Sequence, residues 1–416
     1  MSLTLDDPEL VLRADAQPWL EPAAYWESMT EATRDRSAPV VALSLEALSW
    51  NARDLTRRAG GLPIRVASKS VRVRAVLDAV LALPGYQGVL AYTVAEALWL
   101  SETIDDVVVA YPSADLAALA ALGRDERAAA RVTIMVDSVD QLDLVDKAIA
   151  PGDRSAIRVC LDLDSSWRAP ALGHIGVLRS PLHEPGDLRR LAERVVSRPG
   201  FTLVGIMAYE AQIAGVGDNP EGKPVDAALM GWIQRRSAAE LADRRREAVA
   251  AVRQVAELEF VNGGGTGSIE RTVSEAAVTE VAAGSGLFGP HLFDHYRSFH
   301  PAPAAAFALD VVRRPAARVA TLLGGGWTAS GVPGADRSPL PVWPAGLTFA
   351  PREGAGEVQT PVLGAAADAL RPGDRVWMRH TKAGEIAEHT NELVPVSDGR
   401  SQDPVPSYRG EGKCFL

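Results

Sequence analysis

Two different patterns of apolar and polar residues divide the chain near residue 300. Before that point, short continuous apolar runs alternate with longer segments whose apolar residues recur at helical spacing. Continuous apolar strands joined by helices predict a parallel sheet that is buried on both faces, and this strand number favours a closed (β/α)8 TIM-type barrel over an open sheet. The predicted strands are 62–67, 88–91, 107–110, 132–136, 157–163, 203–207, 258–261 and 279–282, and a further apolar run at 40–43 precedes them.

Beyond residue 300 the apolar runs follow one another without long helical segments between them. They cover residues 307–313, 318–323, 358–362, 375–378 and 392–396, and glycine- and proline-rich turns separate them. We therefore predict three parts: an N-terminal arm (1–37), an α/β barrel (38–300) and a C-terminal β domain (301–416). The aromatic residues of the arm are expected to pack either on the chain's own body or on a partner subunit.

Composition narrows the class of protein. The 416 residues are 47% hydrophobic and 23% charged, which is typical of a globular protein, and no apolar stretch is long enough for a membrane span. A net charge of −10 argues against a nucleic-acid or anionic-membrane surface. The two cysteines have neither disulfide nor zinc spacing, and acidic residues stand where a signal peptide needs basic ones. We expect a soluble, cytoplasmic enzyme.

Two stretches carry the candidate chemistry. In Arg65-Val-Ala-Ser-Lys69-Ser, the predicted strand ends just before a lysine, the side chain that forms an imine with an aldehyde. In Asn262-Gly-Gly-Gly-Thr-Gly-Ser268, another strand opens into a loop of glycines and hydroxyls, whose backbone N–H groups can bind a phosphate. Both stretches follow strands, so a barrel places both at its carboxyl-end face. This pattern predicts pyridoxal 5'-phosphate, held covalently by Lys69 and by its phosphate at the loop.

With these residues placed, the chain resembles the fold-type III pyridoxal phosphate enzymes, which are alanine racemase-like barrels. Within them it looks most like the D-threonine aldolase and D-serine dehydratase branch, in particular its amino acid deaminase/aldolase subgroup. The resemblance covers about residues 38–400. It is carried by 65–74, 162–168, 208–210, 262–268, 279–294, 380–385 and the tail from Tyr408.

The resemblance implies roles for several residues. Lys69 would be the Schiff-base lysine, Tyr209 would face the cofactor, and Arg168, or alternatively His174, would contact the pyridine nitrogen. The phosphate would be bound by backbone N–H groups of the glycine loop. The cofactor-binding residues of this loop are then Asn262, Gly264, Gly265 and Thr266. Proteins of this kind commonly form homodimers, so a homodimer is expected here.

The chain departs from the family pattern in two places. Tyr209 is followed by Glu210-Ala-Gln, where the family usually continues with glycine and histidine. Near the C-terminus the branch has a histidine, one residue, then an aspartate or cysteine as metal ligands, whereas this chain has His380-Thr-Lys382, and an ammonium is not a metal ligand. His380 is expected either to bind a divalent metal, together with Glu385, Glu388 or His389, or to act as a catalytic acid–base.

Four functions are compatible with the sequence. The first is a pyridoxal phosphate-dependent lyase, an aldolase or a dehydratase/deaminase, acting on a β-hydroxy-D-amino acid such as D-threonine or D-serine. The second is an amino-acid racemase, which needs a second base on the opposite face. The third is a non-catalytic pyridoxal phosphate homeostasis protein, and the fourth is a barrel enzyme in which Lys69 is structural. The first is our prediction, with Lys69, Tyr209 and His380 as its catalytic residues.

Overall fold

The structure is a computed structural model that describes residues 3–170, 172–220, 222 and 224–416. It divides into two compact units. The sheet unit comprises Met1–Asp54, Ser70–Leu83 and Gly284–Cys414, and the barrel unit comprises Leu55–Lys69, Pro84–Ala283 and Phe415–Leu416.

The strands are, in chain order, β1 (Val40–Ser44), β2 (Ile64–Ala67), β3 (Tyr86–Ala91), β4 (Val107–Val109), β5 (Val132–Val136), β6 (Ile157–Asp162), β7 (Trp167–Ala169), β8 (Gly173–Ile175), β9 (Phe201–Ala208), β10 (Phe260–Gly263), β11 (Glu280–Ala283), β12 (Ala305–Ala316), β13 (Val319–Leu323), β14 (Leu340–Trp343), β15 (Thr348–Phe349), β16 (Gln359–Leu363), β17 (Arg375–Arg379), β18 (Glu392–Ser397), β19 (Arg400–Ser401) and β20 (Val405–Pro406). The α-helices are α1 (Pro8–Asp15), α2 (Pro22–Ala32), α3 (Leu45–Arg58), α4 (Arg74–Leu81), α5 (Val94–Leu100), α6 (Leu116–Arg124), α7 (Glu126–Arg131), α8 (Val139–Ala148), α9 (Pro185–Ser197), α10 (Ala211–Ala214), α11 (Pro224–Arg253), α12 (Ile269–Thr272), α13 (Ser285–Phe288) and α14 (Glu385–Glu388).

The barrel unit is a closed ring of parallel strands in the order β10-β11-β2-β3-β4-β5-β6-β9. This confirms the predicted (β/α)8 barrel. Side chains from seven of these strands form one buried apolar cluster. They are Leu90, Val108, Met135, Cys160, Val204, Met207, Phe260 and Ala282.

A buried arginine also lies among these strands. Arg65 is 2% exposed and donates to Glu280 (2.7 and 2.9 Å) and to Asp106 (2.9 Å for both bonds). Burial alone would lower the pKa of Arg65, but the two carboxylates outweigh it and raise that pKa above its ordinary value. Gly88 makes room for this group, because a methyl group there would lie 2.5 Å from the Arg65 guanidinium. The charge of Arg65 is therefore compensated within the barrel.

The sheet unit contains the C-terminal strands in the order β15-β16-β13-β12-β1-β18-β19, with β17 paired to β12 and β14, and β20 paired to β18. β1 pairs antiparallel with β12 and parallel with β18. The apolar run at 40–43, predicted to lie in the barrel region beginning at residue 38, thus belongs to the other sheet. An apolar run of this kind fits either sheet, and only the long-range pairing decides between them.

The N-terminal arm packs on the sheet of its own chain. The rings of Trp26 and Trp377 are 5.6 Å apart, and Trp377 donates through Nε1 to the Thr30 hydroxyl at 2.8 Å. Tyr25, Trp26 and Met29 are each 5% exposed and share one apolar cluster with Val40 and Trp377. Of the two alternatives expected for these aromatic residues, the structure shows packing on the chain's own body.

Candidate active site

Lys69 lies immediately beyond the carboxyl end of β2. The strand ends at Ala67, and the Ser68 hydroxyl donates to the Leu90 carbonyl at 3.1 Å, which fixes the short 3-10 turn Ser68–Ser70 that carries the lysine. The Lys69 Nζ donates to the Tyr111 hydroxyl at 3.1 Å. Tyr111 follows β4 by two residues, as Lys69 follows β2, so both side chains come from the carboxyl ends of barrel strands. This is the end at which barrel enzymes carry their active sites.

A second cation lies beside the same tyrosine. The Arg179 guanidinium is 5.6 Å from the Tyr111 ring centroid and 5.8 Å from the Tyr209 ring centroid, within the range of a cation–π contact. Burial alone would raise the pKa of Tyr111, but the charge and hydrogen bond of Lys69, together with the charge of Arg179, outweigh it and lower that pKa. Two positive charges, those of Lys69 and Arg179, thus favour the phenolate of Tyr111.

Two acidic groups near Tyr111 have pKa values shifted in the opposite direction. Burial, together with the ionised Tyr111, raises the pKa of Tyr209 to about 12. Burial and the neighbouring charge of Asp137 raise the pKa of Asp162 to about 7, although Arg179 opposes this shift. Asp162 ends β6 and Asp137 follows β5. Strongly shifted pKa values that cluster at one end of a barrel are typical of a functional site.

The glycine loop follows β10 and lies against Tyr209. A methyl group at Gly265 would be 3.0 Å from the Tyr209 ring and 3.0 Å from Ala214, so a larger residue there would require these neighbours to shift. Gly264 has a φ of +80°, a conformation that also favours glycine. Arg58 fixes the far side of the loop, donating to the Thr266 carbonyl at 2.6 Å. The loop is therefore held in one shape by close contacts on both sides.

Glu210 holds the glycine loop through hydrogen bonds. Its buried carboxylate accepts from the Gly264 N–H (3.1 Å) and the Ser268 hydroxyl (3.1 Å), and also from the Thr272 hydroxyl. Arg245, which is fully buried, balances the charge by donating to Glu210 (3.1 Å) and to Glu275 (2.6 Å). The unexpected glutamate after Tyr209 thus organises the glycine loop.

The backbone N–H groups of Gly264 and Gly265, two of the residues predicted to bind the cofactor, donate within the protein. The Gly264 N–H donates to Glu210, and the Gly265 N–H donates to the Ser268 hydroxyl at 3.2 Å. Asn262 is also buried, and its Nδ2 donates to Glu280 at 2.8 Å, while its Oδ1 has no hydrogen-bond partner among the described residues. The cofactor-binding roles of Asn262, Gly264, Gly265 and Thr266 stay predictions.

Arg168 and His174 lie opposite each other in the two-stranded β7–β8 hairpin, and both are exposed. The arginine that the structure places against the site tyrosines is Arg179, which follows the hairpin.

The sequence model of the family described as "Alanine racemase, N-terminal domain" matches residues 43–291, which include this hairpin, Lys69 and the glycine loop. The chain belongs to that family.

Known proteins that resemble this member of the alanine racemase N-terminal domain family include D-threonine aldolases and a D-threo-3-hydroxyaspartate dehydratase. A D-threonine aldolase of Arthrobacter sp. is 26% identical over 205 residues, which are 49% of this chain and 48% of that protein, so the match spans about half the length of that curated relative. The D-threonine aldolase of Filomicrobium marinum superposes with a TM-score of 0.74 at 20% identity, covering 90% of this chain and 96% of that one. The D-threo-3-hydroxyaspartate dehydratase of Delftia sp. HT23 superposes with a TM-score of 0.67 at 17% identity, covering 89% and 97%.

His380 belongs to the sheet unit of this family member. It is 1% exposed, its ring lies edge-on to Phe288 at 6.3 Å, and neither ring nitrogen has a well-formed hydrogen bond to a described residue. Burial lowers the pKa of His380 to about 4, so the imidazole is neutral at physiological pH. Its catalytic role stays a prediction.

The alternative metal ligands have other partners within the sheet unit. Glu385 accepts from the backbone N–H groups of residues 381, 382 and 383 at 2.7 to 3.0 Å. Glu388 pairs with Arg72, and the His389 ring stacks on Trp327 at 4.9 Å. Among the described residues, no three histidine, cysteine, aspartate or glutamate side chains are grouped so that they could hold a metal ion.

No helix within residues 3–170, 172–220 and 224–416 is long and apolar enough to cross a membrane.

Several residues of the site were not identified from the sequence. Tyr111, Asp137 and Asp162 each lie at or just beyond the end of a barrel strand, so the rule that identified Lys69 also applies to them. Arg179 lies in an irregular segment after the hairpin, where no periodic signal marks it. Glu210 was noticed as a departure from the family pattern, but its contact with the glycine loop depends on folding.

Proposed function

We propose that this protein is a pyridoxal 5'-phosphate-dependent lyase that cleaves or dehydrates a β-hydroxy-D-amino acid such as D-threonine or D-serine. The observation that carries the proposal is Lys69 at the carboxyl end of a closed barrel, hydrogen-bonded to Tyr111, in a chain of the alanine racemase N-terminal domain family. The D-threonine aldolase and dehydratase relatives support the reaction class.

The residues of the barrel unit fit this cofactor. Lys69 supplies the amine that would hold it, and Gly265 leaves space beside Tyr209, because a methyl group there would lie 3.0 Å from that ring. The buried Asn262 Oδ1 has no hydrogen-bond partner among the described residues, so it can accept a hydrogen bond from a donor group that binds beside it. When bound, pyridoxal phosphate supplies an aldehyde for the lysine and an electron-withdrawing ring that stabilises negative charge at the substrate Cα.

The chain's own groups then have distinct tasks. Arg179, which is cationic and lies over both tyrosine rings, orients an anionic or aromatic group. Asp162, with its pKa near 7, is able to hold or release a proton at physiological pH. Tyr209, whose pKa is raised to about 12, stays protonated and acts as a hydrogen-bond donor. His380 as a second acid–base and a homodimeric assembly remain part of the proposal.

A substrate panel tests the proposal. The protein loaded with pyridoxal phosphate is incubated with both enantiomers of threonine, serine and 3-hydroxyaspartate, with and without chelator and with added divalent metal. Aldol cleavage yields glycine and an aldehyde, whereas dehydration yields a keto acid and ammonia. Activity confined to the D-enantiomers and lost in Lys69→Ala is the expected result.

The same panel separates the competing functions. Interconversion of enantiomers without aldehyde, keto acid or ammonia would identify a racemase instead. Covalent loading with pyridoxal phosphate but no conversion of any amino acid would identify a homeostasis protein. Loss of turnover on chelation, restored by a divalent cation, would establish the metal that the sequence comparison left open.

A further inference from the structure

The contact between Lys69 and Tyr111 carries an inference that rests on the proposed function and goes beyond it. The two polar atoms are 3.1 Å apart, and the Lys69 ammonium also lies 5.6 Å from the centroid of the same ring. Tyr111 is partly buried, so this hydrogen bond is sheltered from bulk water on part of its surface. A phenol within hydrogen-bond distance of a reactive amine is placed to exchange protons with it.

We propose that Tyr111 is the acid–base partner of Lys69, taking protons from Nζ when the lysine condenses with an aldehyde and delivering them to the oxygen that leaves. Condensation of an ammonium with an aldehyde forms one carbon–nitrogen double bond and breaks the carbon–oxygen double bond. Two protons leave the nitrogen, and both finish in the released water molecule. Tyr111 carries these protons in turn and ends in its starting state, so no oxidant, reductant or further reactant is needed.

The surroundings of Tyr111 support this role. Four titratable or charged groups face it: Lys69 and Arg179, which favour the phenolate, and Asp162 and Tyr209, which disfavour it when ionised. The two cations prevail over burial, so the Tyr111 phenol gives up its proton more readily than an ordinary tyrosine. Tyr209, beside the same arginine, is shifted the other way and stays a donor. Of these two tyrosines, Tyr111 is therefore the one suited to proton transfer.

The test measures the rate at which the protein stripped of cofactor becomes covalently loaded by pyridoxal phosphate. Loading is followed by absorbance and by borohydride trapping with mass spectrometry, for wild type and Tyr111→Phe, from about pH 6 to about pH 9. We expect Tyr111→Phe to load about 100-fold more slowly at neutral pH, the lower end of what general acid–base catalysis contributes. The deficit should shrink as pH rises, because hydroxide then replaces the phenolate.

The non-covalent affinity for pyridoxal phosphate shows whether the Tyr111→Phe substitution distorts the binding site. Pyridoxal phosphate binding is compared between Lys69→Ala and the double variant Lys69→Ala/Tyr111→Phe, where no covalent bond can form at position 69. Equal dissociation constants mean that the missing hydroxyl affects the proton transfer and not the shape of the site. A weakened affinity that accounts for the whole rate deficit would overturn the proposal.

A second measurement follows the proton directly. The ultraviolet absorbance of Tyr111 phenolate, taken as the difference between wild type and Tyr111→Phe, is titrated in the wild-type, Lys69→Arg and Lys69→Ala backgrounds. The midpoint should lie below that of free tyrosine in the wild type, remain low in Lys69→Arg and rise in Lys69→Ala. Equal loading rates of wild type and Tyr111→Phe at every pH would refute the proposal. Failure of the wild type itself to load would instead refute the proposed function.

Discussion

Replacing Glu210 by glutamine tests whether this buried carboxylate holds the glycine loop. Its side chain is 3% exposed and its partner Arg245 is 0% exposed, so the charge pair is shielded from water. The carboxylate accepts hydrogen bonds from the Gly264 N–H and the Ser268 and Thr272 hydroxyls, as well as from Arg245. An amide has one acceptor oxygen, so its NH2 group would face either the Gly264 N–H and Arg245 or the two hydroxyls.

The expected loss of stability follows from these contacts. Removing one partner of a buried ion pair costs about 3–5 kcal/mol, because the remaining charge stays buried without full compensation. Glu210→Gln should therefore lower the free energy of unfolding by about 3–5 kcal/mol. The backbone N–H of Gly264 should also be less protected from hydrogen exchange, since a neutral amide oxygen is a weaker acceptor than a carboxylate.

Glu275→Gln is the matched control. Glu275 shares Arg245 with Glu210, but the contact that the structure shows for its side chain is that arginine, at 2.6 Å, and it is more exposed, at 12%. Arg245 keeps Glu210 in this variant, so we expect a loss of about 1–2 kcal/mol and an unchanged glycine loop. Urea denaturation gives the free energies, and exchange mass spectrometry of a peptide covering residues 262–272 reports on the loop. Equal losses for both variants, or full protection of Gly264 in Glu210→Gln, would refute the reasoning.

Two further predictions concern the barrel. Arg65→Met should destabilise the protein by about 3–5 kcal/mol in urea denaturation, because the buried Glu280 loses its cation, and adding Glu280→Gln should recover part of the loss. Asp162 has a folded-state pKa of about 7, above the ordinary value of an aspartate, so the folded protein binds the extra proton and loses stability as pH rises through this window, by at most about 1.4 kcal/mol per pH unit. Asp162→Asn should flatten this dependence between about pH 4 and about pH 7, and an unchanged pH profile would contradict the assignment.

The barrel was predictable because its signals are local. Each barrel strand is a short apolar run and most connections contain a helical pattern, so the residues 132–136 are predicted with the bounds that β5 has in the structure. The position of Lys69 at a strand end required only that strand and the rule for parallel barrels. Val40–Ser44 shows the limit of local signals, since its apolar run does not reveal which sheet it joins.

The interior of the site was less predictable because it depends on contacts between distant residues. Arg245 lies in the middle of a long helix, where a charged residue ordinarily faces water, yet it is fully buried against Glu210 and Glu275. The exposure of Arg168 and the placement of Arg179 over the tyrosines depend on the path of the β7–β8 hairpin. Composition and periodicity carry no information about such pairings.

The central claim is that Lys69 binds pyridoxal phosphate covalently, and the visible absorption spectrum of the purified protein tests it most directly. We predict an absorption band at longer wavelength than the protein's own, which borohydride bleaches and which Lys69→Ala lacks. After bleaching, mass spectrometry should find the cofactor attached to the peptide that contains Lys69. A protein that stays colourless when pyridoxal phosphate is added, or a band that persists unchanged in Lys69→Ala, would contradict the account.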